Sequence, residues 1–191
     1  MNNQERHGKI IILVAPSGAG KTTLARRLLV DYPNIKFSIS ATTRPPRAGE
    51  INGKDYYFLS DKEFIRKIEN NDLLEWEYYG GNRYGTLRAE VDKLIESGYF
   101  PLLDIEVKGA LNVQEIYGSE AVSIFIEPPS MEVLQERLHK RGSETDTSLK
   151  QRLERAEMEM SHARHFDYAV VNDDLDAAYK KIQALIEPFI N

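Results

Sequence analysis

Short apolar runs alternate along this chain with stretches whose apolar residues recur every three or four positions, the respective signatures of strands and helices. Ile10 to Val14 is an unbroken aliphatic run and predicts a buried strand. From about Lys21 the spacing turns helical, with Leu24, Leu28 and Leu29 on one side, and this helix is expected to reach Asp31 and end at Tyr32-Pro33-Asn34. Ile35 to Ser40 alternates apolar and polar positions and reads as a second strand. Later, Leu87, Val91, Leu94 and Ile95 predict a helix closed by Gly98. Phe100 to Ile105 then reads as a strand, Lys108 to Tyr117 as a helix and Ala121 to Ile126 as a very apolar strand. Ser130 is placed to cap a helix running to Arg141 and closed by Gly142, and a charged helix follows to about Arg164. Tyr168 to Val171 reads as a last strand; Leu175, Tyr179, Ile182 and Ile186 form the apolar stripe of a final helix.

Residues 41–86 have a different character. Two prolines and two arginines open the segment, and Asn52-Gly53 between short extended stretches predicts a hairpin. Ser60-Asp61-Lys62-Glu63 is a capping box, expected to start a helix that buries Phe64, Ile65 and Ile68. Residues 73–86 again read as extended chain, folded around Gly80-Gly81-Asn82. The segment is therefore expected to form a small lobe inserted between core elements. Strands near residues 10, 36, 101, 122 and 168 alternate with helices, which implies an α/β fold with a mostly parallel sheet covered on both faces. Ligands of such sheets sit beyond the carboxyl ends of the strands, where Gly18, Lys21, Asp104, Glu106 and Asn172 fall.

Composition narrows the function classes. The chain has 191 residues, enough to bury a proper core in one unit. Its 25 basic and 30 acidic residues give a net charge of −5, which offers no general attraction to nucleic acid or to an anionic membrane. There is no cysteine, so disulfides and Cys-based zinc sites are excluded. Met1 to Lys9 is polar and carries no signal-peptide hydrophobic region, and Ile10 to Ala15 is too short to span a bilayer. A soluble, cytoplasmic protein without an obligatory protein partner is expected.

The chemistry starts at residues 15–23. Ala15, Pro16, Ser17, Gly18, Ala19, Gly20, Lys21, Thr22 and Thr23 join the first strand to the first helix, the setting of a phosphate-binding loop. Gly18 and Gly20 let backbone N–H groups turn inward around an anion, and the first turn of the helix adds positive potential. Lys21 is placed to reach the outer phosphates of a nucleoside triphosphate, and the Thr22 hydroxyl to serve as one ligand of its Mg²⁺. The usual pattern begins with glycine, where this chain has Ala15.

Three further groups stand out. Arg44 and Arg47, with Ser40, Tyr56 and Tyr84, would suit a second anion held by the lobe, although charge alone leaves a solvated Arg-Pro-Pro-Arg turn equally open. Glu75 lies between Leu74 and Trp76, where an unpaired carboxylate is costly, so a partner is expected: either an internal cation or an adjacent pair of ligand donors such as guanine presents. Arg137 and Arg141 share a helix face, and Arg152 and Arg155 approach from the next helix. With seven acidic and seven Arg or Lys residues over 131–165, charge count does not separate a phosphate clamp from a salt-bridged helical pair.

Taken together, APSGAGKTT, SATTRPPRAGEINGKDYYF, LLEWEYYGGNRYGT, LLDIEVKGA, RLHKRGSET and VVNDDL resemble guanylate kinase, in that family's order and along nearly the whole chain. Within the family, alanine at the position of Ala15 is an accepted variant. The resemblance implies a P-loop, three-layer α/β fold with a central, mostly parallel five-stranded sheet, an inserted GMP-binding lobe and a small lid. As one domain it would comprise a core of 1–40, 87–130 and 166–191, a lobe of 41–86 and a lid of 131–165. It implies that Ser40, Arg44, Arg47, Tyr56 and Tyr84 hold the GMP phosphate, and that Glu75, Thr86 and Glu106 read the guanine. Arg137, Arg141 and Arg152 would close over the donor phosphates, with Lys21 and Arg44 completing the catalytic set. Asn172 would approach the adenine of ATP, and Asp104, grouped with the GMP-binding residues, would lie near Mg²⁺ and phosphates. The reaction implied is transfer of the γ-phosphoryl of ATP to GMP or dGMP with Mg²⁺. A phosphate monoester has its second pKa near 6, so no His or Asp base is expected. Two alternatives carry different chemistry: a kinase of this architecture with another acceptor, and a non-catalytic phosphopeptide-binding module such as membrane-associated scaffolds contain.

Overall fold

All five predicted core strands are present in the computed structural model, which describes residues 9–140 and 146–190. The strands are β1 (Ile10–Val14), β2 (Ile35–Phe37), β3 (Ser40–Thr42), β4 (Tyr57–Phe58), β5 (Leu73–Tyr79), β6 (Asn82–Leu87), β7 (Phe100–Asp104), β8 (Ala121–Glu127) and β9 (Tyr168–Val171). The helices are α1 (Lys21–Asp31), α2 (Asp61–Glu69), α3 (Arg88–Glu96), α4 (Val107–Tyr117), α5 (Met131–Lys140), α6 (Asp146–Met160) and α7 (Leu175–Ile190). Five strands make one sheet in the order β2-β7-β1-β8-β9, with every neighbouring pair parallel. A parallel sheet must be covered on both faces, and the fully apolar β1 shows how. Ile11 and Leu13 pack with Leu24 and Leu28 of α1 and Ile182 and Ile186 of α7. Ile10, Ile12 and Val14 turn the other way, against Val91 of α3 and Val107, Ala110 and Val113 of α4. Each of the Val, Leu and Ile side chains contributes about 1.5–3 kcal/mol by leaving water, which sets β1 as the floor from which the loop after Val14 projects. Among the described residues no helix is long and apolar enough to cross a membrane.

A second sheet, β4-β3-β6-β5, stands beyond the first with α2 packed on it through Phe64, next to Ala41 and Leu73. The expected capping box is formed, with Glu63 N–H donating to Ser60 Oγ at 3.3 Å and Ser60 N–H to Glu63 Oε2 at 2.7 Å. Tyr79 and Asn82 pair directly across Gly80-Gly81, as the glycine turn predicts.

Four expectations need correction. The predicted strand 35–40 divides, because β2 ends at Phe37 in the parallel sheet and Ser40 pairs antiparallel with Thr86 in the other. Asn52-Gly53 forms a tight turn, with Lys54 N–H donating to Ile51 O at 3.1 Å, but no hairpin. β3 and β4 run parallel, and the antiparallel partner of β3 is the distant β6. Ile65 is exposed rather than buried. The charged helix ends at Met160, followed by a separate helical turn at Ala163–His165. The expected stop at Arg141 and Gly142, and the rest of the loop to residue 145, lie outside the described residues.

Candidate active site

Between Val14 and Lys21 the chain makes a loop whose shape depends on its glycines. Gly18 and Gly20 both have φ of +98°, and Gly20 is the N-cap of α1. The second requirement at Gly20 is space, since a Cβ there would lie 2.3 Å from Nδ2 of Asn172. Asn172 is buried at the end of β9 and its amide donates to Ala19 O at 2.7 Å, so it fastens the loop from behind. Its side chain and Ala19 thus lie behind the loop.

The loop opens into a cavity of about 300 Å³ lined by Ala15, Pro16, Ser17, Gly18, Gly20, Lys21, Thr22 and Thr23, with Arg152, Arg155 and Glu159 of α6 opposite. Lys21 Nζ lies 2.6 Å from Asp104 Oδ1 and donates to Ile105 O at 3.3 Å. Asp104 therefore holds the lysine in place. Arg152 Nη2 donates to Ser17 Oγ at 2.8 Å, bringing a cation from α6 onto the loop. Arg137 takes a different position: its Nη2 donates to Asn172 O at 3.0 Å, so it braces the backbone after β9 and is not part of the cavity wall. Arg141 lies outside the described residues.

A second cavity of about 480 Å³ adjoins the first and is lined by Phe37, Ser40, Asp55, Tyr56, Glu75, Glu77, Tyr84 and Gly85. Thr22, Tyr79, Asp104 and Glu106 line both, so a ligand in one cavity meets a ligand in the other at the end of the phosphate loop. Glu75 is the unusual group here. It is 8% exposed, it accepts from Thr86 Oγ1 at 2.6 Å, and no cation is paired with it among the described residues. Burial pushes its carboxyl up to about 7, against the opposing effect of the Thr86 hydrogen bond; the charges of Glu77 and Glu106 push the same way as burial. Among the described residues, the internal ion pair that the sequence left open is not formed.

Arg44 lies over the rings of Tyr56 and Phe58, 5.4 and 5.8 Å from their centroids, and its Nη2 donates to Glu50 Oε1 at 2.8 Å. It stands next to the second cavity through Tyr56, which packs edge-on against Tyr84. Arg47 is exposed, and its backbone N–H donates to the other oxygen of Glu50. The structure thus groups Ser40, Tyr56, Glu75, Tyr84, Asp104 and Glu106 directly around the cavity, puts Thr86 behind Glu75, and leaves Arg44 and Arg47 at its edge.

Two features escape the sequence reading. Gly109 lies inside α4, and a Cβ on it would fall 2.4 Å from Glu75 Oε2 and 2.8 Å from Glu75 Cδ. A glycine within a helical pattern was its available signal. The other is what Arg155 touches: the sequence placed it among the converging arginines, but its partners Glu77 and Glu106 come from elements distant in sequence, and only Glu159, four residues on, was a local signal.

A family model described as Guanylate kinase matches residues 7–188. The chain is 51% identical over 186 residues, 97% of its length, to a guanylate kinase of Chlorobium chlorochromatii, covering 98% of that protein. It is also 51% identical over 183 residues to a guanylate kinase of Salinibacter ruber, covering 95% of this chain and 97% of that protein. A crystal structure of guanylate kinase from Anaplasma phagocytophilum superposes with a TM-score of 0.75 at 35% identity, over 96% of this chain and 87% of that one. The SH3-kinase fragment of tight junction protein 3, at 13% identity and a TM-score of 0.53 over 99% of this chain and 60% of that one, shares the fold alone.

Proposed function

The chain belongs to the guanylate kinase family, and on that premise we propose how its own residues carry the transfer of the γ-phosphoryl group of ATP to GMP. The observation that supports this reading best is Glu75, a buried carboxylate with no cation paired to it among the described residues, facing a cavity that opens onto the phosphate loop. Guanine presents an N–H and an exocyclic amine side by side, two donors for one carboxylate; adenine has an acceptor in place of the first. Thr86 holds Glu75, and Glu106 lines the same space, so these three are assigned to the base.

Ser40, Tyr56 and Tyr84 are assigned to the phosphate of GMP together with Arg44 and Arg47. For this, Arg44 exchanges Glu50 for the incoming phosphate, which is the stronger partner because it carries nearly two charges. The acceptor is already largely dianionic at neutral pH, so the protein has no proton to remove. Its tasks are alignment and charge stabilisation. The triphosphate takes Lys21 from Asp104, and Arg152 and Arg141, with Arg137 once it exchanges Asn172 O for phosphate oxygens, offset charge on the transferring group. Among the described residues no three acidic or imidazole side chains gather into a metal cage. The donor set instead suits a Mg²⁺ that arrives on the triphosphate, held on the protein side by the Thr22 hydroxyl near Asp104, where it would screen the phosphate charges. Closing of the lobe at 41–86 and the region at 131–165 would keep water from the γ-phosphate.

The test is an ADP-release assay with Mg²⁺ and ATP across GMP, dGMP, AMP, CMP, UMP and dTMP. Turnover is expected with the guanine nucleotides and is lost in Lys21→Ala. Comparable rates with AMP would refute the reading of Glu75, and silence with every acceptor, from folded protein that still binds GMP, would refute the kinase.

A further inference from the structure

Arg155 carries no role in the scheme above, yet it stands where the two cavities meet. Its Nε donates to Glu159 Oε1 at 2.8 Å on its own helix. Its Nη2 donates to Glu106 Oε2 at 3.1 Å, at the start of α4, and lies 3.5 Å from Glu77 Oε1 of β5. The guanidinium also covers the ring of Tyr79 at 4.6 Å. One planar fork thus gathers carboxylates from three elements, which a lysine's single ammonium cannot reproduce. Three residues earlier on the same helix, Arg152 reaches the phosphate loop at Ser17.

We propose that Arg155 is a positioning residue that ties α6 to the guanine-reading wall, so that filling the acceptor cavity strengthens binding in the donor cavity. The inference rests on the assignment of Glu106 to guanine. Arg155 uses Oε2 of Glu106 and leaves Oε1 for a donor from the acceptor cavity. A base that engages Oε1 restrains the Glu106 side chain. The fork then restrains α6, and Arg152 is held over the loop. Charge favours the same arrangement: without Arg155, Glu77, Glu106 and the buried Glu159 would repel one another, and the tie between α6 and the wall would be lost. Such a coupling is reciprocal, so the triphosphate must strengthen GMP binding by the same factor.

The experiment is calorimetric titration of Mg²⁺ with a non-hydrolysable ATP analogue into the full chain, with and without saturating GMP, for wild type, Arg155→Met and Arg155→Lys. In wild type GMP is expected to tighten analogue binding at least about fivefold, the lower end for coupled sites. In Arg155→Met the factor falls to about one, whatever the analogue affinity without GMP, whereas a role confined to the donor cavity would weaken binding equally with and without GMP and leave the factor unchanged. Arg155→Lys keeps the charge without the fork, so its factor falls to less than half of the wild-type value. Should the methionine variant not fold, the lysine variant decides, and an unchanged factor in it overturns the proposal. A wild-type factor of one overturns it equally. Titration of GMP alone separates the premise: failure to bind GMP removes the assignment of Glu106 and the proposal falls with it, whereas tight GMP binding with an unchanged factor in the variants sinks the proposal only.

Discussion

At the scale of single residues, Glu75 carries the most information. Its carboxyl titrates at about 7 because burial penalises the charge. Guanine donors need the ionised form, so below that pH GMP must displace a proton. The Michaelis constant for GMP is therefore expected to fall as pH rises from 6 and to level off above about 7, changing up to tenfold per unit on the acidic side. Glu75→Gln has nothing to titrate and puts a donor where an acceptor is required. Its GMP affinity should drop by about 10- to 150-fold, the equivalent of about 1.5–3 kcal/mol for hydrogen bonds to a charged group, and its pH profile should lose the step near 7 and keep only that of the GMP phosphate near 6. Initial-rate kinetics against pH for both proteins measures this, and parallel profiles would assign the titration to another group. Sequence alone made Glu75 conspicuous, because a carboxylate between Leu74 and Trp76 calls for a partner. It did not show whether that partner was internal, since the answer depends on what α4 and β6 bring alongside.

At the scale of elements, α4 is shaped around β5. A glycine inside a helix costs about 0.8–1 kcal/mol relative to alanine, yet Gly109 is where the Glu75 carboxylate passes the helix. Gly109→Ala gains helix propensity and displaces the carboxylate. GMP affinity is expected to fall at least tenfold, and Glu75→Asp in the same chain, one methylene shorter, should recover part of it. Unchanged GMP kinetics together with a higher melting temperature would reduce Gly109 to a simple helix defect. Most elements were legible because their pattern is local: the aliphatic run of β1, the box at Ser60 and the glycines between β5 and β6 each act through near neighbours. The divided strand at 35–42 was not legible. Alternation continues through residues 38 and 39 while the chain passes from one sheet to the other, and period two is blind to which sheet a strand joins. Asn52-Gly53 misled for a related reason, since it supplied a turn while long-range pairing put β4 parallel to β3.

At the scale of the whole molecule, the acceptor wall stores a stability cost. Glu75 has a folded pKa near 7 and an unfolded one near 4.3, so its protonated form is the one that folding favours. Its stabilising effect is complete below about 4.3 and is lost as pH rises through 7. Relative to wild type, Glu75→Gln should therefore gain stability between pH 5 and pH 8, on the order of 3 kcal/mol at most. Urea midpoints of the two proteins across that range test the sign, and a gap that shrinks with rising pH would contradict it. The same residue would then lower stability and confer base selection. Local chemistry along the chain was enough to define a phosphate loop, a parallel α/β core and an inserted segment rich in anion-binding side chains, because those depend on residues within a turn or two of one another. Folding alone brought the carboxylates of β5, α6 and the β7–α4 junction around Arg155, turned Asn172 behind the loop, and made the two cavities share a wall. Those contacts join positions separated by up to 153 residues, and no periodicity in a sequence encodes which distant side chains will meet.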